Sequence, residues 1–166
     1  SGNPEEGELR PQLQDRFGLS VDVRTPGDVP TRVEIIRLRE AFDHDRIAFR
    51  KKWARKESTL RRKIQVARDH LDDVDTPAEL LETAARLCLA LGTDGLRGEL
   101  TLVRSARALA ALEGKSAANL KHLRAMAPSV LRHRLRRDPR DESSADIRVE
   151  RVIAELFQES VNDGGN

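Results

Sequence analysis

Apolar positions recur at helical spacing along most of the chain after residue 28 and alternate only once before it. Leu19, Val21 and Val23 alternate with Ser20, Asp22 and Arg24 ahead of Thr25-Pro26-Gly27, a period of two that predicts one strand and a turn. A single strand needs a sheet, so its neighbours are expected among residues before Ser1. Upstream of it, Glu5, Glu6 and Glu8 suit the first turns of a short helix over 5–17, where the helix dipole favours negative charge. Pro11 is tolerated early in such a helix, and Gly18 is a natural stop.

From Asp28, a candidate N-cap, a heavily charged helical segment with Val33, Ile36, Ile47 and Phe49 extends to about residue 56, with Asp43-His44-Asp45 expected to bend or interrupt it. Leu60, Ile64, Ala67 and Leu71 form one stripe and predict an amphipathic helix over 57–72. Thr76-Pro77-Ala78-Glu79 joins a Thr cap, Pro at the first helical position and an acid three residues after the cap, opening a helix to Leu91 that Gly92 ends. The next helix, 95–113, gathers Leu102, Val103, Ala106, Leu109 and Ala110 on one side, an Ala-rich face that admits a close neighbour before Gly114 stops it. Leu120, Leu123, Ala127, Val130 and Leu131 keep helical spacing, but Pro128 is expected to split that segment in two. A loop through Ser144, a helix over 145–158 and an unpatterned tail complete the chain.

Composition sharpens the class. A chain of 166 residues with 38% hydrophobic content supports one core, or one small domain plus the remnant of a second. Charged residues at 35% against 3% aromatic point to a mainly α protein packed by Leu and Ala. The near balance of 30 Lys and Arg with 28 Asp and Glu gives little support for a nucleic-acid surface, which needs a basic face. Cys88, the single cysteine, sits in an apolar run and reads as a buried hydrophobe in a reducing compartment. No run approaches the ~18 apolar residues of a membrane span, and the N-terminus lacks a secretory pattern, so a soluble cytoplasmic protein is expected.

Three residues are candidates for phosphate chemistry. Asn3 precedes Pro4 and is therefore extended, its amide able to donate to a phosphate oxygen or hold a water at a strand tip, or simply to start a turn. Arg16 ends the short helix and either compensates its C-terminus or presents a guanidinium across a subunit boundary to a γ-phosphate, the role of an arginine finger. Arg97 lies in the first turn of a helix between Gly95 and Gly98, where N–H groups and a guanidinium can hold an anion or the side chain is merely solvated. The basic run Arg132 to Arg137 suits a helix end or a solvated face. Asp43-His44-Asp45 and Asp72 to Asp75 lack the spacing of calcium or zinc sites, so no metal site is expected. There is no P-loop and no Ser or Cys triad pattern.

The blocks GNPEEGELRPQLQDRFGLSV, LGTDGLRGELTLVRSARALAALEG and LRHRLRRDP closely resemble, in order and spacing, the ATPase subunit I family of magnesium chelatases, AAA+ proteins of chlorophyll and bacteriochlorophyll synthesis. The similarity runs to about Asp141, looks nearer to the bacterial form in 81–112, and departs after Asp146; Gln14 stands where the family usually has Leu. The resemblance implies that Asn3 is the sensor-1 residue, Arg16 the arginine finger acting in trans and Arg97 the sensor-2 residue. It also implies ATP with Mg²⁺ as cofactor, its Walker A and B groups before Ser1, so that the chain alone is inert towards ATP. The implied partners are further copies in a hexameric ring, a second AAA+ subunit and a porphyrin-binding subunit, with Mg²⁺ inserted into protoporphyrin IX. The implied organisation is a remnant of an α/β nucleotide-binding core over 1–27, a helical connector over 28–72, a helical lid over 73–141 and a C-terminal helix and tail over 142–166. An AAA+ ATPase with a chaperone-like or helicase-like client, or a helical nucleic-acid-binding adaptor using Arg132 to Arg137, stands as the alternative.

Overall fold

The computed structural model describes residues 10–14, 16–93, 95–135 and 145–162. They form α1 (Pro11–Gln14), α2 (Val29–His44), α3 (Arg46–Asp69), α4 (Ala78–Ala90), α5 (Arg97–Leu112), α6 (Leu120–Leu131) and α7 (Ala145–Asn162), with single 3₁₀ turns at Leu71–Asp73 and Arg132–Arg134. The mainly α class is borne out. The core is a bundle of α4 to α7, filled by Leu80, Leu87, Leu102, Leu123, Leu131 and Val149 with Ala84, Ala106, Ala110 and Ala127 between them. The small residues of α5 let α4 and α6 pack on it closely.

Helix ends follow local chemistry. Asp28 caps α2, its Oδ1 accepting from the Thr31 N–H at 2.8 Å, and that bond holds the carboxyl below its usual pKa. The break at 43–45 falls on Asp45, which ends α2 and starts α3 by accepting from the Ile47 and Ala48 N–H groups. Gly92 and Gly114 follow α4 and α5 at φ of 64° and 70°, the left-handed conformation that lets a helix turn off without a Cβ penalty. Asn119 and His122 form a reciprocal cap on α6. The Asn119 N–H can only donate, so His122 Nδ1 accepts it at 3.0 Å and Nε2 carries the proton directed at Glu113 Oε2, 3.2 Å away.

Several expectations are corrected. No strand forms over 19–24 among the described residues, where the segment has no sheet partner. The helix expected over 5–17 is reduced, where described, to α1, with Pro11 as its first residue and residues 5–9 outside the described part. The helix expected over 57–72 is the second half of α3, which runs from Arg46 without a Gly or Pro to stop it. Thr76 makes no cap: Asp75 bonds to the 116–118 loop, donating to Ser116 O and accepting from the Ala118 N–H, and the chain stays extended through Pro77. Pro128 does not split α6. It lies so near the end that one intrahelical bond is lost, and burial of Leu123, Ala127, Val130 and Leu131 outweighs that loss of about 3 kcal/mol. The last helix reaches Asn162 rather than 158, burying Val149 and Ile153 against the bundle.

The helices α2 and α3 form a hairpin in which no residue of α2 and only Ala67 of α3 is buried. Its corner is held by Phe42 edge-on to Phe49 at 5.6 Å, Phe49 beside Trp53 at 6.0 Å, and the Arg46 and Lys56 cations over the outer rings.

Truncation of Leu131, fully buried, to Ala is expected to lower the unfolding free energy by about 2–5 kcal/mol in urea titrations. Ile47→Ala, on the exposed hairpin, is expected to stay within about 0.5 kcal/mol of the parent chain.

Candidate functional site

The last carbonyls of a helix have no N–H partners within it. At the end of α6 these groups organise a site. Pro128 O accepts the Arg132 backbone N–H and, at 3.1 Å, its Nε; Val130 O accepts Arg134 Nε at 3.0 Å. Ser129 O accepts the N–H of Ser20, at 2.8 Å, from the far N-terminal segment. The same segment is held a second time: Phe17 O accepts Arg134 Nη2 at 2.7 Å and faces His133 Nε2 at 3.0 Å. The arginine fork thus joins a carbonyl of α6 to the carbonyl of the residue that follows Arg16. Gly18 lies against α5, where a Cβ would stand 3.7 Å from Thr101 Cγ2.

The start of α5 abuts this region through Gly98. A Cβ there would lie 3.4 Å from Cys88 Sγ, 3.5 Å from Thr93 Oγ1 and 3.6 Å from Leu131 Cδ2, so the first turn of α5 presses on the ends of α4 and α6. Arg97 immediately precedes this contact and is exposed. Leu96 stands at the N-cap and makes no side-chain cap bond to the helix. Glu99, in the same turn, has a buried Oε2 without a hydrogen-bond partner among the described residues. Burial, and then the Glu99 carboxylate, push the Cys88 thiol up to about 11, so it is protonated at neutral pH and no nucleophile.

Arg16 is exposed in the turn after α1, its N–H donating to Leu13 O at 3.1 Å. Asn3 lies outside the described residues. The structure therefore brings the segment following Arg16 onto the end of α6, and Gly98 with Leu131 brings that end beside the turn carrying Arg97. His133 and Arg134 were the residues missed, legible in the sequence only as part of a basic run. A large part of that run is engaged with main-chain carbonyls rather than forming an open cationic face; Arg136 and Arg137 lie outside the described residues. Among the described residues no group of His, Cys, Asp or Glu could hold a metal ion, and no helix is long and apolar enough to cross a membrane.

Residues 81–156, from α4 into α7, match the AAA lid domain, and the bundle is thereby that of an AAA ATPase lid. The chain is 58% identical over 160 residues, 96% of its own length and 46% of the relative's, to the magnesium-chelatase 38 kDa subunit of Acidiphilium rubrum. It is 57% identical over 157 residues to that of Rhodobacter capsulatus, 95% of the chain and 45% of the relative, and 41% identical over 157 residues to the chloroplastic magnesium-chelatase subunit ChlI of Oryza sativa subsp. japonica, 95% of the chain and 38% of the relative. Nearly the whole chain is thus similar to magnesium-chelatase subunits of bacteria and plants, and it spans less than half the length of these relatives.

Gly98→Ala is expected to leave the thermal midpoint unchanged or slightly raised, since a methyl meets ordinary contacts and Ala is the better helix former. Gly98→Val is expected to lower unfolding free energy by about 1–3 kcal/mol by driving α5 off Cys88 and Leu131. Stability is expected to be insensitive to the Cys88 thiol below its unfolded value near 9 and to fall as pH rises from there towards 11, where the unfolded chain ionises first. Urea midpoints across that range, compared with Cys88→Ala, check the assignment.

Proposed function

We propose that this chain provides the lid side of the ATP site in the motor subunit of a magnesium chelatase, the ATP-hydrolysing enzyme that inserts Mg²⁺ into protoporphyrin IX for chlorophyll or bacteriochlorophyll synthesis. The observation that carries the reading is the 58% identity running along 96% of the chain, together with a lid match that includes Arg97. The subunit works as a ring, hexameric in this reading, alongside a second AAA+ subunit and a porphyrin-binding subunit, in the bacterial cytoplasm. Porphyrin chemistry belongs to the porphyrin-binding subunit.

The setting suits a nucleotide phosphate: Arg97 is exposed in the first turn of α5, where the helix dipole favours an anion and a guanidinium can add charge-assisted hydrogen bonds. Arg97 serves the nucleotide of its own subunit as sensor 2. Arg16 serves the nucleotide of the neighbouring subunit as an arginine finger, offsetting negative charge that develops as the terminal phosphoryl group is transferred. Asn3, as sensor 1, orients the attacking water. ATP with Mg²⁺ supplies the phosphoryl group, held mainly by residues beyond this chain. The guanidiniums of Arg132 and Arg134, bonded to carbonyls, favour this reading over a nucleic-acid adaptor.

In the full-length subunit, Arg16→Ala is expected to abolish ATPase activity while leaving nucleotide affinity near that of the parent. Mixing Arg16→Ala subunits with Arg97→Ala subunits is expected to restore part of the activity, because some boundaries then pair an intact sensor 2 with an intact finger. Near-parent turnover by Arg16→Ala alone, or no restoration on mixing, would count against the division of roles.

A further inference from the structure

We propose that His133 and Arg134 are positioning residues for Arg16, forming a staple through which the lid sets the reach of the finger. The proposal rests on the reading of Arg16 as a finger.

Arg16 is exposed and follows a single helical turn, and neither feature fixes a guanidinium in space. The next residue is fixed. Its carbonyl takes Arg134 Nη2 at 2.7 Å and His133 Nε2 at 3.0 Å, from residues 117 and 116 positions away. A carbonyl only accepts, so His133 engages it with Nε2 protonated. A charged donor and a ring N–H on one oxygen define a direction as well as a distance, which a lone solvated carbonyl lacks. Three residues further on, the Ser20 N–H donates to Ser129 O, so the strand of chain leaving Arg16 is pinned at both ends of a short span.

Arg134 is itself rigidly held. Its Nε is bonded to Val130 O in the last turn of α6, and Leu131 between them is fully buried against the turn that carries Arg97. A displacement of the first turn of α5 on nucleotide binding or loss is therefore passed through Leu131 to the end of α6 and on to the backbone beside Arg16. Because Arg16 addresses the neighbouring nucleotide, the staple links the state of one site to the catalytic group of the next. It makes no contact with nucleotide in this scheme, which is why the residues are positioning and not catalytic.

The test is steady-state ATPase of the assembled full-length subunit together with equilibrium nucleotide binding. Arg134→Ala and His133→Leu are each expected to lower kcat roughly tenfold, a misplaced group rather than a missing one, with nucleotide affinity within about twofold of the parent. His133→Gln, which retains a donor, is expected to recover most of the kcat lost in His133→Leu. Staple variants with parent kcat, or no recovery of kcat in His133→Gln over His133→Leu, would overturn the staple while leaving the finger standing. Parent-like turnover by Arg16→Ala would instead remove the reading on which it rests. His133→Leu leaves the Arg134 bond to Val130 in place and serves if Arg134→Ala fails to fold.

Discussion

The contact between the first turn of α5 and the ends of α4 and α6 is the constraint on which the rest depends. It exists because residue 98 is small, so that helix backbone lies close to a thiol and a leucine methyl with room for no more than a methyl between. A residue larger than Ala would push α5 outward, and with it Arg97 and the face that receives Gly18. The Ala-rich side of α5 extends the same close approach along its length, through Ala106 and Ala110. Small residues thus set positions, while Leu80, Leu87, Leu102, Leu123 and Leu131 supply the burial that holds them.

A second constraint is the obligation of helix-end carbonyls to find donors. At α6 they find them in two arginine side chains and in the backbone of residue 20, so completing the helix end also fastens the N-terminal segment to the lid. Local satisfaction and long-range assembly are here one event.

Much of the fold could be read from the chain because its determinants are local. Asp28 and Asp45 cap neighbours two or three residues on, Gly92 and Gly114 permit a left-handed turn where a helix stops, and the α5 stripe repeats at helical period. Two of the misreadings came from packing that local signals do not show. Thr76 lost its cap to a bridge between Asp75 and the 116–118 loop, and Pro128 stayed helical because its neighbours are core residues. The same holds for the site. Arg97 could be singled out from the glycines beside it and Arg16 from its place at a helix end, but the roles given to both came from family blocks. His133 and Arg134 could not be assigned, since nothing near them in sequence indicates a carbonyl more than a hundred residues away.

The hairpin of α2 and α3 buries a single residue along two helices, and its outer corner is tied by aromatic rings to itself rather than to the bundle. The end of α3 packs on α5 through Ala67, but α2 and the start of α3 commit little apolar area to the body of the protein, so opening that outer part of the arm exposes little that was dry. Folding therefore constrains the outer part of the arm less than it constrains the bundle. A changed side chain there costs the fold little, where a bulky one at Gly98 would displace a helix.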